Sequence, residues 1–128
     1  MRKELIMKNL CVMVEIAVTD FNRAKTFYEN ILGITIEEKN ILDTQIGMFP
    51  MDGYSNYGFI SKDDKHSPSK NGTLIYLNAD GVIEGILKKV ISAGGKVLTP
   101  KTRLTDEFGF FAVFMDTEGN RIGLHSMK

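Results

Sequence analysis

The chain has 128 residues and a mass of 14.4 kDa, the size of one domain that buries roughly two-thirds of its unfolded surface with no metal or disulfide staple. Hydrophobic residues make up 43% and charged residues 25%, a mix that excludes a disordered or fibrous chain. Lys plus Arg and Asp plus Glu balance at 16 each, and the basic residues are spread out, so no phosphate-neutralising face for nucleic acid is indicated.

No apolar run reaches membrane-spanning length. Residues 1–8 carry charges of both signs and too short an apolar core for a secretory signal, so the expected location is cytoplasmic. The single cysteine, Cys11, excludes an intrachain disulfide and a thiolate zinc site. Set in an apolar run, it reads as a buried, inert thiol.

Residues 10–18, LCVMVEIAV, place Val12, Val14, Ile16 and Val18 on one face, which predicts a strand. The other face carries Cys11, Met13, Glu15 and Ala17, so a carboxylate stands in its middle. Thr19 and Asp20 offer acceptors for a helix start, and Phe21, Ala24, Phe27, Tyr28, Ile31 and Leu32 recur at helical spacing. Gly33 suits a left-handed C-terminal cap. Strands are predicted over 34–38, 44–49 and 57–61, separated by 39–43 and by the Asp52-Gly53 turn signal. The polar stretch 62–72 reads as a linker.

The second half repeats the plan. A strand over 73–79 is followed by Asp80 opening a helix that carries Val82, Ile83, Ile86, Leu87, Val90 and Ile91, with Ala93-Gly94-Gly95 as its stop. A strand over 96–99 ends at Pro100, and strands over 110–115 and 121–126 form a hairpin around residues 116–120. Intervals 20–33 and 80–94 match to within one residue, which indicates an internal duplication. The expectation is a single α+β domain over 1–128, with module one at about 8–61, the linker at 62–72 and module two at about 73–127. Each helix covers one sheet face, and the free faces form a cup.

Three segments carry a family likeness. VEIAVTDFNRAKTFYENILGI, GTLIYLNAD and FMDTEGNRIGLHS resemble the opening strand and helix, the second-module strand and the closing hairpin of the glyoxalase and bleomycin-resistance (vicinal oxygen chelate) superfamily. The resemblance spans nearly the whole chain. It implies two βαβββ modules in a cupped, mostly antiparallel eight-stranded sheet, a homodimer, and a small molecule in each cup. It also implies a divalent cation held by one residue from each of four strands, in chemistry ranging from hemithioacetal isomerisation to antibiotic sequestration. The corresponding positions here are Met13, Leu74, Gly123 and residues 58–60, none of which can coordinate. No cofactor is therefore predicted.

Side chains two apart on a strand share a face, so Glu15 beside Met13 and His125 beside Gly123 should both enter the cup. They are candidates for an acid/base pair, for a displaced two-ligand metal site, or for purely structural roles. Tyr76 and Asn78 share the face of Leu74. Met13 and Met48 are either core fillers or walls of an adaptable pocket. Phe108, on a covering segment at 106–109, and Arg121, suited to an anionic ligand, complete the candidate binding set. His66, in the linker, reads as exposed and without function. Asp20 and Asp80 read as helix caps and residues 118–120 as a tight turn.

Three functions follow as expectations. The first is a small-molecule-binding, lyase- or isomerase-like protein using Glu15 and His125 without metal. The second is sequestration of an antibiotic or metabolite without chemistry. The third is a divergent metal-dependent lactoylglutathione lyase or dioxygenase. Whether one chain or two exchanged modules form the cup stays open.

Overall fold

A computed structural model describes residues 11–51 and 56–128. The Asp52-Gly53 turn and the opening residue of the first predicted strand lie outside the described residues. The order is β1 (Met13–Ala17), α1 (Phe21–Leu32), β2 (Glu37–Ile41), β3 (Thr44–Met48), β4 (Tyr57–Lys62), then β5 (Tyr76–Asn78), α2 (Ile83–Ser92), β6 (Lys96–Thr105), β7 (Gly109–Met115) and β8 (Arg121–Ser126). This is βαβββ twice. The strands form two four-stranded sheets, β1-β4-β3-β2 and β5-β8-β7-β6. In each, the first and last strands of the module are parallel and the remaining pairs antiparallel.

The two sheets share one core. Ile16, Ile60, Ala112, Phe114, Ile122 and Leu124 turn beneath the helices and pack with Phe27, Tyr28, Ile31, Ile86 and Val90. Phe27 stands edge-on to Tyr28, ring centroids 5.1 Å apart, and reaches Phe114 of the other module at 6.0 Å, an arrangement that adds to simple burial. The register leaves Met13, Glu15, Tyr57 and Phe59 on the opposite face of the first sheet. Tyr76, Phe111, Gly123 and His125 occupy the corresponding face of the second.

Helix α1 ends as its sequence requires. Asp20 Oδ1 accepts from Arg23 N–H at 3.0 Å, and Gly33, at φ 65, donates its N–H to Glu29 O. The closing hairpin then locks onto this helix. Tyr28 Oη donates to Asp116 Oδ2 at 2.6 Å. Asp116 also accepts from the Glu118 and Asn120 backbones and from Asn120 Nδ2, and the same amide reaches Ala17 O at 2.8 Å. Burial, reinforced by the Asp116 carboxylate, holds the Tyr28 hydroxyl well above its ordinary pKa, so it remains the donor. Tyr28 of the first module and the Asp116–Asn120 turn of the second are thus two halves of one inter-module clamp.

Glu118 completes that clamp. Its side chain is fully buried and accepts from Thr19 N–H, Asp20 N–H and the Arg23 guanidinium at 2.7 to 3.1 Å. Burial pushes its pKa up, but the Arg23 guanidinium and the surrounding N–H and O–H donors outweigh that and hold it below the ordinary value. A carboxyl depressed in the folded state contributes stability that is present above the unfolded glutamate value of about 4.3 and lost as pH falls through the folded value. Glu118→Gln is expected to cost about 1–3 kcal/mol at pH 7 and progressively less in acid, as measured by urea unfolding at pH 7 and pH 3.

Several local expectations are corrected. Asp80 does not cap α2. It sits at φ 47 in a left-handed turn with Gly81, its N–H bonded to Asn78 Oδ1, and the helix starts at Ile83 with Val82 as an N-cap lacking a side-chain bond. Strand β6 does not stop at Pro100. It is an edge strand, where a residue without N–H is tolerated, and its pairing is irregular between Thr99 and Thr102. Strand β2 starts later than predicted and runs to Ile41, because Leu42 and Asp43, at φ 51 and 62, make a two-residue hairpin turn. Cys11 is exposed, not buried, since it precedes β1 at the open end of its sheet. No helix among the described residues is long and apolar enough to cross a membrane.

Candidate functional site

The free face of the second sheet holds an apolar cup of about 580 Å³, lined by Tyr76, Leu104, Thr105, Phe108, Phe111 and His125. Its wall follows from the register: β8 lies between β5 and β7, pairing Gly123 with Tyr76 and His125 with Phe111. Because Gly123 has no side chain, the Tyr76 ring lies directly over it. A Cβ at 123 would meet Cγ of Tyr76 at 2.8 Å and other ring atoms closer still. The Tyr76 and Phe111 rings approach edge to face, centroids 6.4 Å apart.

The β6–β7 turn closes the cup. Phe108 donates its N–H to Thr105 Oγ1 at 2.9 Å, and its carbonyl oxygen lies 2.6 Å from His125 Nε2. A carbonyl only accepts, so Nε2 carries the proton. In the neutral ring Nδ1 is then left as an acceptor. Phe108 itself is 59% exposed, an unusual position for so large an apolar ring and one suited to covering a bound molecule.

A second depression, of about 430 Å³, runs between β1 and the starts of β5 and β8, beneath the linker. Met13, Glu15, His66, Asn120 and Arg121 line it. Glu15 Oε2 accepts from Ser61 Oγ at 2.6 Å and lies 3.8 Å from His66 Nδ1.

The predicted site residues therefore separate into two groups. Met13, Glu15 and Arg121 meet in the inter-module cleft; Tyr76, Phe108 and His125 meet in the cup. Glu15 and His125 are not brought together within one chain, His125 standing four residues, about 13 Å along the strand, beyond Arg121. The histidine beside Glu15 is His66, which the sequence reading set aside as functionless. Met48, opposite Glu37 and Phe59, lines neither space, and Asn78 is spent on the turn before α2. Ser61, Leu104 and Thr105 were missed. Ser61 was within reach, since a strand parallel to β1 must set one side chain beside Glu15.

The donor set does not fit the family's cation. Met13, Leu74 and Gly123 offer no ligand, the space above Gly123 is filled by an aromatic ring, and no cluster of three or more His, Cys, Asp or Glu side chains suited to a metal occurs among the described residues.

Paired βαβββ modules, with helices on one side of their sheets and an open cup on the other, define a duplicated α+β protein of the vicinal oxygen chelate fold. The chain belongs to the Glyoxalase/Bleomycin resistance protein/Dioxygenase superfamily, whose description matches residues 11–124. Comparison with curated proteins finds no match. Among solved structures, a glyoxalase I mutant from Zea mays is 22% identical with a TM-score of 0.70, over 91% of this chain and 45% of that one. The fosfomycin resistance protein FosX of Listeria monocytogenes is 16% identical, TM-score 0.68, covering 94% of this chain and 91% of its own. A superfamily domain from Frankia is 15% identical, TM-score 0.69, covering 95% and 98%. This chain spans less than half of the maize chain, and at these identities the likeness establishes the fold.

Proposed function

We propose that this protein binds a small, largely apolar organic molecule in the aromatic cup without a metal ion, with His125 Nδ1 accepting a hydrogen bond, or a proton, from the ligand. The observation that carries this reading is the Tyr76 ring lying over Gly123: it occupies the space of a metal-ligating side chain and builds a ligand wall in its place. A concave, mostly apolar lining with one polar group is the usual composition of a small-molecule site. Sequestration of an antibiotic or metabolite, as the names of the bleomycin and fosfomycin resistance relatives suggest, needs nothing further. Isomerase- or lyase-like chemistry in the cup would rest on His125 as the base, without Glu15, which stands in the separate cleft.

We further propose that two copies associate through the open faces, where Met13, Tyr76 and Phe108 are each at least half exposed; light scattering should then give twice the chain mass. The cup itself is tested with 8-anilinonaphthalene-1-sulfonate, an anionic probe with a large apolar aromatic body, read by fluorescence. Phe108→Ala is expected to weaken it about tenfold, or about 1.4 kcal/mol. An unchanged affinity in folded Phe108→Ala protein would contradict the assignment.

A further inference from the structure

Strand β1 is an edge strand, paired only with β4. Tyr57 N–H donates to Val12 O and Val18 N–H to Ser61 O, so the even residues of β1 turn their backbone groups to β4. Met13, Glu15 and Ala17 turn theirs toward the second module. Asn120 Nδ2 takes the Ala17 carbonyl at 2.8 Å, while the outward groups of Met13 and Glu15 have no bonding partner among the described residues. Asn120 Oδ1 also accepts from Ser69 N–H at 3.0 Å. One side chain thus ties β1, β8 and the linker together around the cleft, which makes it a built space rather than a chance gap.

Two opposite charges line this cleft. Glu15 Oε2 is occupied by Ser61 and approached by His66, but Oε1 has no hydrogen-bond partner among the described residues. Arg121 likewise makes no hydrogen bond or ion pair among them. The two do not reach each other: both are exposed to solvent at the mouth of the cleft, above walls formed by Met13, Ile75 and Ile122. A carboxylate and a guanidinium held apart in one cavity complement a molecule that carries both an ammonium and a carboxylate.

We propose that the inter-module cleft is a second ligand site, distinct from the aromatic cup, for a small zwitterion of the amino-acid class with an apolar side chain. Glu15 receives the ammonium, and Arg121 takes the carboxylate through its planar fork. The outward backbone groups of Met13 and Glu15 supply further bonds, and the methionine and isoleucine walls take the apolar side chain. A volume of about 430 Å³ admits one such molecule.

Calorimetric titration with L-phenylalanine, 2-phenylethylamine and 3-phenylpropionate separates the two charges. L-Phenylalanine is expected to bind most tightly, with each singly charged probe about tenfold weaker. Glu15→Gln should weaken L-phenylalanine and phenylethylamine and spare phenylpropionate; Arg121→Gln should weaken L-phenylalanine and phenylpropionate and spare phenylethylamine; Phe108→Ala should leave all three unchanged, which separates this site from the cup. Circular dichroism establishes that each variant is folded. Absence of L-phenylalanine binding, equal affinity for the three probes, indifference to both charge substitutions, or loss confined to Phe108→Ala would each overturn the proposal.

Discussion

Asp116→Ala is expected to cost about 3–5 kcal/mol, the range for removing one member of a buried charged network. The Asp116 carboxylate is 4% exposed and accepts from the Tyr28 hydroxyl, two backbone N–H groups and the Asn120 amide. Truncation leaves those buried donors without their acceptor. Against a total stability of about 5–15 kcal/mol for a domain of this kind, the loss brings the protein close to unfolding. Tyr28→Phe, which removes one bond and leaves Asp116 its other partners, should cost about 1–2 kcal/mol. Urea unfolding measures both. Equal losses for the two variants would mean that the carboxylate does not organise the clamp.

The second large effect is at Gly123. Gly123→Glu places a carboxylate where metal-binding relatives are expected to carry one, yet the new side chain enters the space of the Tyr76 ring. Expelling that ring should cost about 1–3 kcal/mol in overpacking and abolish binding of the naphthalene probe by dismantling the cup wall. It should not confer metal affinity, because Met13 and Leu74 still supply no ligand and one carboxylate alone is a poor site. Stoichiometric binding of added Zn²⁺ or Ni²⁺ by Gly123→Glu would show that the remaining coordination sphere exists after all.

These effects locate what was legible in the sequence. Helix α1 was readable in full, since its apolar spacing, Asp20 and Gly33 are local signals that all agree. The closing hairpin was readable for the same reason. Asp80 misled because an acceptor placed before an apolar periodic run is also what a left-handed Asp-Gly turn contains; only the backbone geometry decides between them. Pro100 misled because a strand-ending proline and an edge-strand proline look identical until the edge is known.

The site was legible as a set of faces and not as a set of neighbours. Alternation along β1 and β8 correctly put Glu15 and His125 on open faces, but alternation carries no information on how far apart two strands lie in different sheets. His66 was read as functionless because the path of the linker over β1 is fixed by tertiary bonds such as Asn120 to Ser69, which leave no periodic trace. Gly123 was recognised as the loss of a ligand. That the glycine also makes room for Tyr76 emerges only from the pairing of β5 with β8.

Metal independence of the aromatic cup is tested most directly by titrating the naphthalene probe into the purified protein before and after exhaustive chelation, alongside elemental analysis of the same sample. The expected result is an unchanged dissociation constant and no divalent metal near one equivalent per chain. Loss of probe binding on chelation, restored by one equivalent of Zn²⁺, Ni²⁺ or Mn²⁺, would contradict it.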